Sequence, residues 1–554
     1  MQNKLNIKYF LIAILLFAAI VRFWGIGFGL PNTNCRPDEE QIVDIVKSPV
    51  HNFHPGGFNY PSLYKYINLC FYGLYYILGL FTGKYKLLAD FINEIVITNY
   101  SALYLINRFL SASFGVATVF ICYKVAERLF NRKTAMISAF YLSFAYLHVR
   151  DSHFGTVDIP MVFFITCSMF YIIKAYQENA TRNYVLAGIF AGLAASTKYA
   201  GILLIVPMFI VNSFSISITR GEDKAFVYPF SSTKRMLFFI ILFAAAFLLG
   251  TPYALLDCKQ FLNECIETIS RFIHGEGIIL GRGWWYHFRY SLPLGMGFSL
   301  FFASLAGIFT LAKMDLKKAL ILCSFPLAYY VIIGQGYGVF LRYVIPLVPY
   351  LCITAAVFTV YLVNFLGKYL RPDFNKAVML IFPLLIILPS VCNILRFDTL
   401  LAKKDNRLIA TEWINKNLPE GSSIALCDTV YGIQVPLTAA ALRDKDDFGM
   451  EDRIRINYLR NNNIKGFNAH GWDGRSNMSK YIVLEEAPVR VSGSLDPEQK
   501  EIIRNYYYPL AKFESYNIDN ISNWYDQEDN FYIPFAGFEE IQRPGPNIYI
   551  YEKK

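Results

Sequence analysis

Long apolar runs, nearly free of charge, recur along the chain from Phe10 to about Leu395. A helix needs about 20 such residues to cross the hydrocarbon layer of a bilayer. On that measure the pattern predicts crossings at about 9–30, 100–123, 134–149, 158–174, 184–198, 200–217, 236–252, 290–312, 319–335, 343–366 and 377–395, or about eleven. The segment "PSLYKYINLCFYGLYYILGLF" (61–81) is as apolar but crowded with Tyr and Phe. Those residues suit the membrane–water interface, so it is assigned to an outer-leaflet interfacial or re-entrant helix. After Phe397 the pattern changes in kind. "NRLIATEWINKNLPEGSSIALC" reads as a helix with Ile409, Trp413 and Ile414 on one face, then a turn, then a strand. "PNIYIYEK" alternates Ile with Tyr, a strand pattern. The prediction is a polytopic α-helical membrane domain over 1–396, with an outer loop at 31–99, followed by a soluble extracytoplasmic α/β domain over 397–554.

Composition agrees with this reading. Of 554 residues 55% are hydrophobic and only 17% charged, with mean hydropathy +0.34; a soluble domain rarely carries so few charges. The first apolar run is long and lacks a small-residue cleavage site, so it is read as an uncleaved helix rather than a signal peptide. The net charge of +10 is assigned to cytoplasmic loops and not to nucleic-acid binding. Basic clusters at Lys4/Lys8, Lys124/Arg128/Arg132/Lys133, Lys174/Arg182, Arg220/Lys224/Lys234/Arg235, Lys313/Lys317/Lys318 and Lys368/Arg371/Lys376 all fall on one side when 61–81 does not cross. The N-terminus is then cytoplasmic, and the loop around Asp38, the loop 150–156 and the tail lie outside. Counting 61–81 as a crossing would reverse every later loop. The ten cysteines are scattered and form no zinc-type or redox pair. Cys258 and Cys265 stand roughly two turns apart on a helix, too far for a disulfide.

Chemistry concentrates on the outer side. "NTNCRPDEE" places Asp38, Glu39 and Glu40 shortly after the first helix, with Pro37 fixing the backbone before them. They are either ordinary solvated loop residues or a general-base corner, with Asp38 first, Glu39 second and Glu40 a solvated neighbour. "LHVRDSHFGTVDIPMVFF" adds Arg150, Asp151, His153 and Asp158. Asp158 opens an apolar helix and could cap it. His153 with Asp38 and Asp158 could hold a divalent cation such as Mg, Mn or Zn, although one His and two separated Asp are a weak ligand set. Arg22, Lys198 in "STKYAG" and Arg342 in "VFLRYVIPLVP" are isolated cations at the outer ends of helices. Such cations either snorkel to headgroups or bind an anion such as phosphate. Arg282 and Arg289 could extend that patch, while Trp284 and Trp285 could be an interfacial belt. Carboxylates beside cations at a lipid surface suit a polyprenyl-phosphate sugar. Its phosphate leaves as an anion held by cations, and one carboxylate deprotonates the attacking hydroxyl. Direct displacement of this kind inverts the anomeric centre.

The order of "RPDEE", "NYPSLYKY", "VRDSHFGTVDIPMVFF", "GLAASTKYAGILLIVP" and "FLRYVIPLVPYL" resembles the GT-C superfamily of membrane glycosyltransferases. The nearest kin are the protein O-mannosyltransferase and aminoarabinose-transferase-like enzymes, which depend on a phospholipid-type carrier. "DNRLIATEWINKNLPEGSSI" and "PFAGFEEIQRPGPNIYIYEK" resemble the outer domains of that group. The resemblance implies a GT-C fold in the cytoplasmic (inner) membrane and a polyprenyl-phosphate-sugar donor. It also implies an acceptor hydroxyl on protein, lipid or glycan. It matches the family's first acid pair to Asp38 and Glu39 and its second-loop acid to Asp158, with Arg150 before it. Lys198 and Arg342 match phosphate-binding positions. Relatives often carry two prolines where this chain has Tyr60-Pro61-Ser62 with Lys65 beyond, so a donor-binding role for Tyr60 and Lys65 is less direct. The competing reading is a lipid or glycan transporter or flippase. Transporters place charges near the bilayer midplane and often show internal repeats, and this chain shows neither pattern. A receptor-like role for the tail has no repeat or interaction motif to support it.

Overall fold

A computed structural model describes the chain except residues 1, 99, 219–228, 276–277, 370, 428–430, 444–449, 462–463, 473–478, 488, 490–496, 518–522 and 530. Arg220 and Lys224 of the fourth basic cluster lie outside the described residues. The chain divides into two compact units. The first comprises Met1–Trp24, Asp44–Asn68 and Asn107–Leu395; the second comprises Gly25–Val43, Leu69–Ile106 and Arg396–Lys554.

The first unit is a bundle of apolar helices. Among the described residues six helices are long and apolar enough to cross a membrane. A seventh results if the pair Gly283–Met296 and Phe298–Met314, bent by 115°, is one crossing. The sequence pattern predicts about eleven crossings, and several of those expected spans are interrupted in the backbone. The expected span 134–149 is broken into Arg132–Ser143 and Tyr146–Ser152. Those at 200–217 and 343–366 each open with a tight 3-10 segment, Tyr199–Leu204 and Leu341–Leu347. Hydropathy reports apolar length and is blind to such breaks. The segment 61–81 is a helix, Leu63–Phe81, and is not among the six. Large apolar side chains stay exposed on these helices, among them Leu380, Ile381, Leu384, Leu385 and Leu388 on Pro372–Leu401. Such a surface belongs against lipid, and the protein is a multi-pass membrane protein.

Lipid tails give helices no hydrophobic reason to associate, so close van der Waals packing must hold them. Helix Thr181–Thr197 carries Gly188 and Gly192 on one face. A Cβ at these positions would stand 2.4 Å from the Phe239 carbonyl oxygen and 2.3 Å from that of Phe243. Two glycines four apart thus let one backbone lie directly on the next, against the helix Pro229–Gly250. Gly307 does the same where Phe298–Met314 meets Val348–Leu366, its missing Cβ being 1.9 Å from the Thr354 carbonyl oxygen.

The second unit contains a five-stranded sheet: β1 (Ser423–Leu426), β2 (Asn468–Gly471), β3 (Tyr481–Glu486), β4 (Tyr507–Phe513) and β5 (Asn547–Lys553). The order is β2-β1-β3-β5-β4. β1 runs parallel to β2 and β3, and β5 runs antiparallel to β3 and β4. Alternation sorts the side chains. Ile424, Leu426, Val483, Ile548 and Ile550 pack under the helix Asn406–Asn417 through Ala410 and Ile414. Ala425, Ile482 and Leu484 pack on the other face with Ile503 of Pro497–Tyr506. The alternating Ile and Tyr of the last strand take the two faces the sequence predicted. On the first helix Ile414 is core as expected, while Ala410 takes the buried place given to Ile409 and Trp413 is half-buried. Asp405 caps that helix through the Arg407 N–H, and Leu418-Pro419 ends it.

Gly192→Ala should lower the thermal transition of the detergent-solubilised protein by a cost in the overpacking range, about 1–3 kcal/mol. Gly73→Ala, whose Cβ meets nothing within 4 Å, should leave that transition in place. Equal transitions for the two variants would refute the close packing.

Candidate active site

In the first unit, three charges that are far apart in sequence meet at breaks in the helices. Asp158 opens the helix Asp158–Glu178. Its carboxylate goes not to the helix's own N–H groups, as a cap would, but to Lys198, whose Nζ donates to Oδ1 at 2.7 Å. Arg342 Nε stands 3.9 Å from Oδ2. Lys198 is the extended residue between Thr181–Thr197 and Tyr199–Leu204, so the helix break turns its side chain inward. Gly201 makes that turn possible, since a Cβ there would lie 2.3 Å from the Ala195 nitrogen. Aromatic rings line the place. Lys198 Nζ is 5.0 Å from the Tyr343 ring centroid and 5.8 Å from that of Tyr60. Arg342 lies 4.4 Å over Phe340. The Tyr329 hydroxyl donates to the Tyr343 carbonyl at 2.8 Å. Two cations face one carboxylate, and Lys198 keeps 16% of its side chain exposed against 2% for Asp158. The cluster is therefore net positive and still reachable.

Tyr60 is placed by a clamp that sequence reasoning missed. The helix Cys258–His274 grips the turn before it. Glu264 accepts from the Phe58 N–H at 2.5 Å, Arg271 donates to Asn59 Oδ1 at 2.5 Å, and Gln260 donates to the Gly56 carbonyl at 3.1 Å. Lys65, expected to bind the donor, instead gives its ammonium to the carbonyls of Pro55 and Gly57 at 3.0 and 2.8 Å. It closes the same turn.

Other expected residues are engaged elsewhere. Arg22 is fully buried and donates to the carbonyls of Ala18, Leu142 and Ser143 and to His148 Nδ1. It pins the first helix to the break at 143–146. Arg150 is buried against the Asp151 carboxylate at 3.1 Å and lies over Phe154. Arg282 is exposed and donates to the Tyr337 hydroxyl at 3.3 Å. The ring nitrogens of His153 stand 3.0 Å from the main-chain carbonyls of Val149 and Trp24. Asp158 is held by Lys198. Among the described residues no group of three or more His, Cys, Asp or Glu could hold one.

The acidic loop belongs to the second unit. Asp38 has φ +72°, a left-handed conformation that a non-glycine residue adopts only when its surroundings hold it. Its carboxylate accepts from Gln41 Nε2 at 2.9 Å, and its N–H donates to Glu40 at 3.3 Å. Glu39 is fully buried. Glu40, expected to be solvated, is half-buried. Burial pushes its carboxyl up to about 7, helped by the charges of Asp38 and Glu39 and opposed by main-chain N–H groups. Tyr431 stands beside Glu40 and Asp38, and burial raises its phenol first, those two charges next. Arg36, the cation of "RPDEE", is fully buried and pairs with Asp529 at 2.5 Å.

A family model described as dolichyl-phosphate-mannose-protein mannosyltransferase matches residues 88–253. Dolichyl-phosphate-mannose–protein mannosyltransferase 1 of Saccharomyces cerevisiae is 27% identical over 159 residues, 27% of this chain and 18% of that protein. The chain thus spans under a fifth of the length of that relative. ArnT from Cupriavidus metallidurans in the apo state superposes with TM-score 0.53 at 13% identity, covering 99% of this chain and 98% of that one. The same ArnT bound to undecaprenyl phosphate gives 0.50 at 12% identity, with 97% of each chain covered. The apo Archaeoglobus fulgidus oligosaccharyltransferase gives 0.52 at 13% identity, covering 99% and 88%. The chain has the GT-C fold. In this GT-C protein the Asp158 cluster lies partly inside the region the mannosyltransferase family matches: Lys198 falls within 88–253, and Arg342 lies beyond it.

The raised Glu40 carboxyl has a definite pH consequence. Between its ordinary 4.5 and about 7, the folded state keeps a proton that the unfolded state has released. Stability from this group is therefore present below about 4.5 and is lost as pH rises through about 7. Glu40→Gln should melt higher relative to wild type at pH 8 than at pH 5. An unchanged gap between the two proteins at both pH values would contradict this assignment.

Proposed function

We propose that this protein is a membrane glycosyltransferase. It transfers a sugar from a polyprenyl-phosphate donor to an acceptor hydroxyl on the extracytoplasmic face of the cytoplasmic membrane. The N-terminus is cytoplasmic and the C-terminal α/β region extracytoplasmic. The observation that carries the reading is the convergence of Lys198 and Arg342 on Asp158. One carboxylate holds two cations in place and leaves a net positive charge, which suits a phosphate that arrives and departs as an anion. Similarity to a dolichyl-phosphate-mannose–protein mannosyltransferase, and to ArnT solved with undecaprenyl phosphate, supports a lipid-phosphate donor.

In the reaction the acceptor oxygen attacks the anomeric carbon while the bond from that carbon to the phosphate oxygen breaks. The electron pair of the breaking bond stays on the phosphate, where Lys198 and Arg342 stabilise it. Asp38 takes the acceptor proton as general base, with Glu39 as the second candidate. Displacement in one step inverts the anomeric centre. Asp158 orients the cations, and Tyr60 and Tyr343 supply ring faces beside Lys198. The acceptor is a hydroxyl of a protein, a lipid or a glycan.

The test is purified protein in lipid nanodiscs with radiolabelled polyprenyl-phosphate mannose. Ser/Thr peptides, lipid A and a teichoic polymer are offered as acceptors. Wild type should transfer label to one acceptor class. Asp38→Asn should lose at least about a hundredfold in kcat, the lower end of the range for general-base catalysis. Lys198→Met and Arg342→Met should weaken kcat/KM for the donor by about tenfold or more each, the loss of a charge-assisted phosphate contact. No transfer to any acceptor, or an Asp38→Asn protein as active as wild type, would sink the proposal. Separately, NMR of the product anomeric centre should show inversion, and retention would rule out the single displacement.

A further inference from the structure

The turn that presents Asp38 is held from two sides. Residues 25–43 contain two short helical pieces, Thr33–Cys35 and Glu39–Val43. Asp38 sits between them in a left-handed conformation, which Asp tolerates better than most side chains, with Gln41 and Glu40 bonded to it locally. The second restraint comes from the tail of the chain, within the same unit. Arg36 and Asp529 form an ion pair whose side chains are 0% and 2% exposed. The guanidinium also lies 5.5 Å over Phe531, whose ring packs against Phe28 and Phe397. Asn32 donates to the Gly432 carbonyl at 3.2 Å. Both neighbours of that carbonyl are themselves braced: Arg407 donates to the Tyr431 carbonyl at 2.7 Å, and Glu485 accepts from the Ile433 N–H at 2.8 Å. Arg407 is fixed in turn by two hydrogen bonds to the Asp405 carboxylate.

A buried ion pair is a poor source of net stability, because desolvation consumes most of its attraction. Its geometry is demanding, and removal of one partner leaves an uncompensated charge in the interior. Such a pair two residues from Asp38, and next to the proline that stiffens the turn, restricts direction more than it adds free energy.

Resting on the reading of Asp38 as the base, we infer that Asp529 is a positioning residue. Through its ion pair with Arg36 it holds the left-handed turn that presents the Asp38 carboxylate to the acceptor hydroxyl. The tail is then part of the catalytic apparatus and not only a soluble appendage. Asp529 touches no reacting atom in this account and acts through Arg36.

The experiment uses the full chain in nanodiscs and reads two quantities. The first is hydrogen exchange by mass spectrometry. Asp529→Asn should speed exchange of 33–43 about tenfold or more, as local opening becomes easier, with β5 and Asn406–Asn417 as protected as in wild type. The second is turnover of radiolabelled polyprenyl-phosphate mannose on the acceptor class that wild type uses. Here kcat should fall about 10–100-fold, with KM for the donor within about threefold, the pattern of a lost transition-state interaction. Glu412→Gln, which breaks the exposed pair with Lys404, should change neither. Arg36→Lys keeps the charge but loses the guanidinium fork and should fall between wild type and Asp529→Asn. If Asp529→Asn does not accumulate as folded protein, Arg36→Lys is judged by the same two readings. Unchanged exchange of 33–43, or faster exchange with unchanged kcat, overturns the positioning role. An Asp38→Asn protein with full activity instead overturns the assignment of the base, and the two failures are told apart.

Discussion

A carboxylate buried among apolar helices is expensive unless a cation neutralises it. Asp158 meets two, Lys198 and Arg342. The pairing ties together the start of one helix, the break after another and a 3-10 segment. The breaks let these side chains turn inward and meet. Once these three points are fixed, the remaining helices have little freedom. Gly188, Gly192 and Gly307 bring backbones into direct contact, and small shifts there would be transmitted without cushioning by side chains.

The second unit solves a different problem with the same means. Its sheet is covered on both faces by helices, and the core of that sheet follows from simple alternation. Yet it also buries charge, in Arg36–Asp529 and Arg407–Asp405. Both pairs lie on the path that leads to the acidic turn, through Phe531 and Tyr532 for one flank and Tyr431 for the other. Hydrophobic packing makes this unit stable. Its buried polar contacts give particular loops a single orientation.

Much of this was legible in the chain. Apolar run length predicted a membrane protein, and the Ile and Tyr alternation of the last strand predicted its two faces. Isolated cations in apolar surroundings pointed to Lys198 and Arg342. The same signature pointed equally to Arg22, which serves as a staple. The difference lies in the partner: Lys198 meets a carboxylate, whereas Arg22 meets the carbonyls of residues 142 and 143. Carbonyls are present at every position and leave no mark in a sequence. His153 likewise meets main-chain oxygens, which face its ring. Hydropathy averages over windows and does not register the breaks at 144–145, 198–204 and 341–347, which are changes of dihedral angle. Arg36 was in plain view within "RPDEE". Nothing local marks Asp529 as its partner.

That partnership has a temporal side. Arg36 and Asp529 are 493 residues apart, and a ribosome adds roughly 5–20 residues per second. For roughly 25–100 s after Arg36 is made, at that rate of synthesis, its counter-ion does not exist. The loop must wait, with its cation unmatched, until Asp529 has been translated. For this one loop, assembly follows the synthesis of a distant segment. The acidic turn gains that restraint only as the tail folds.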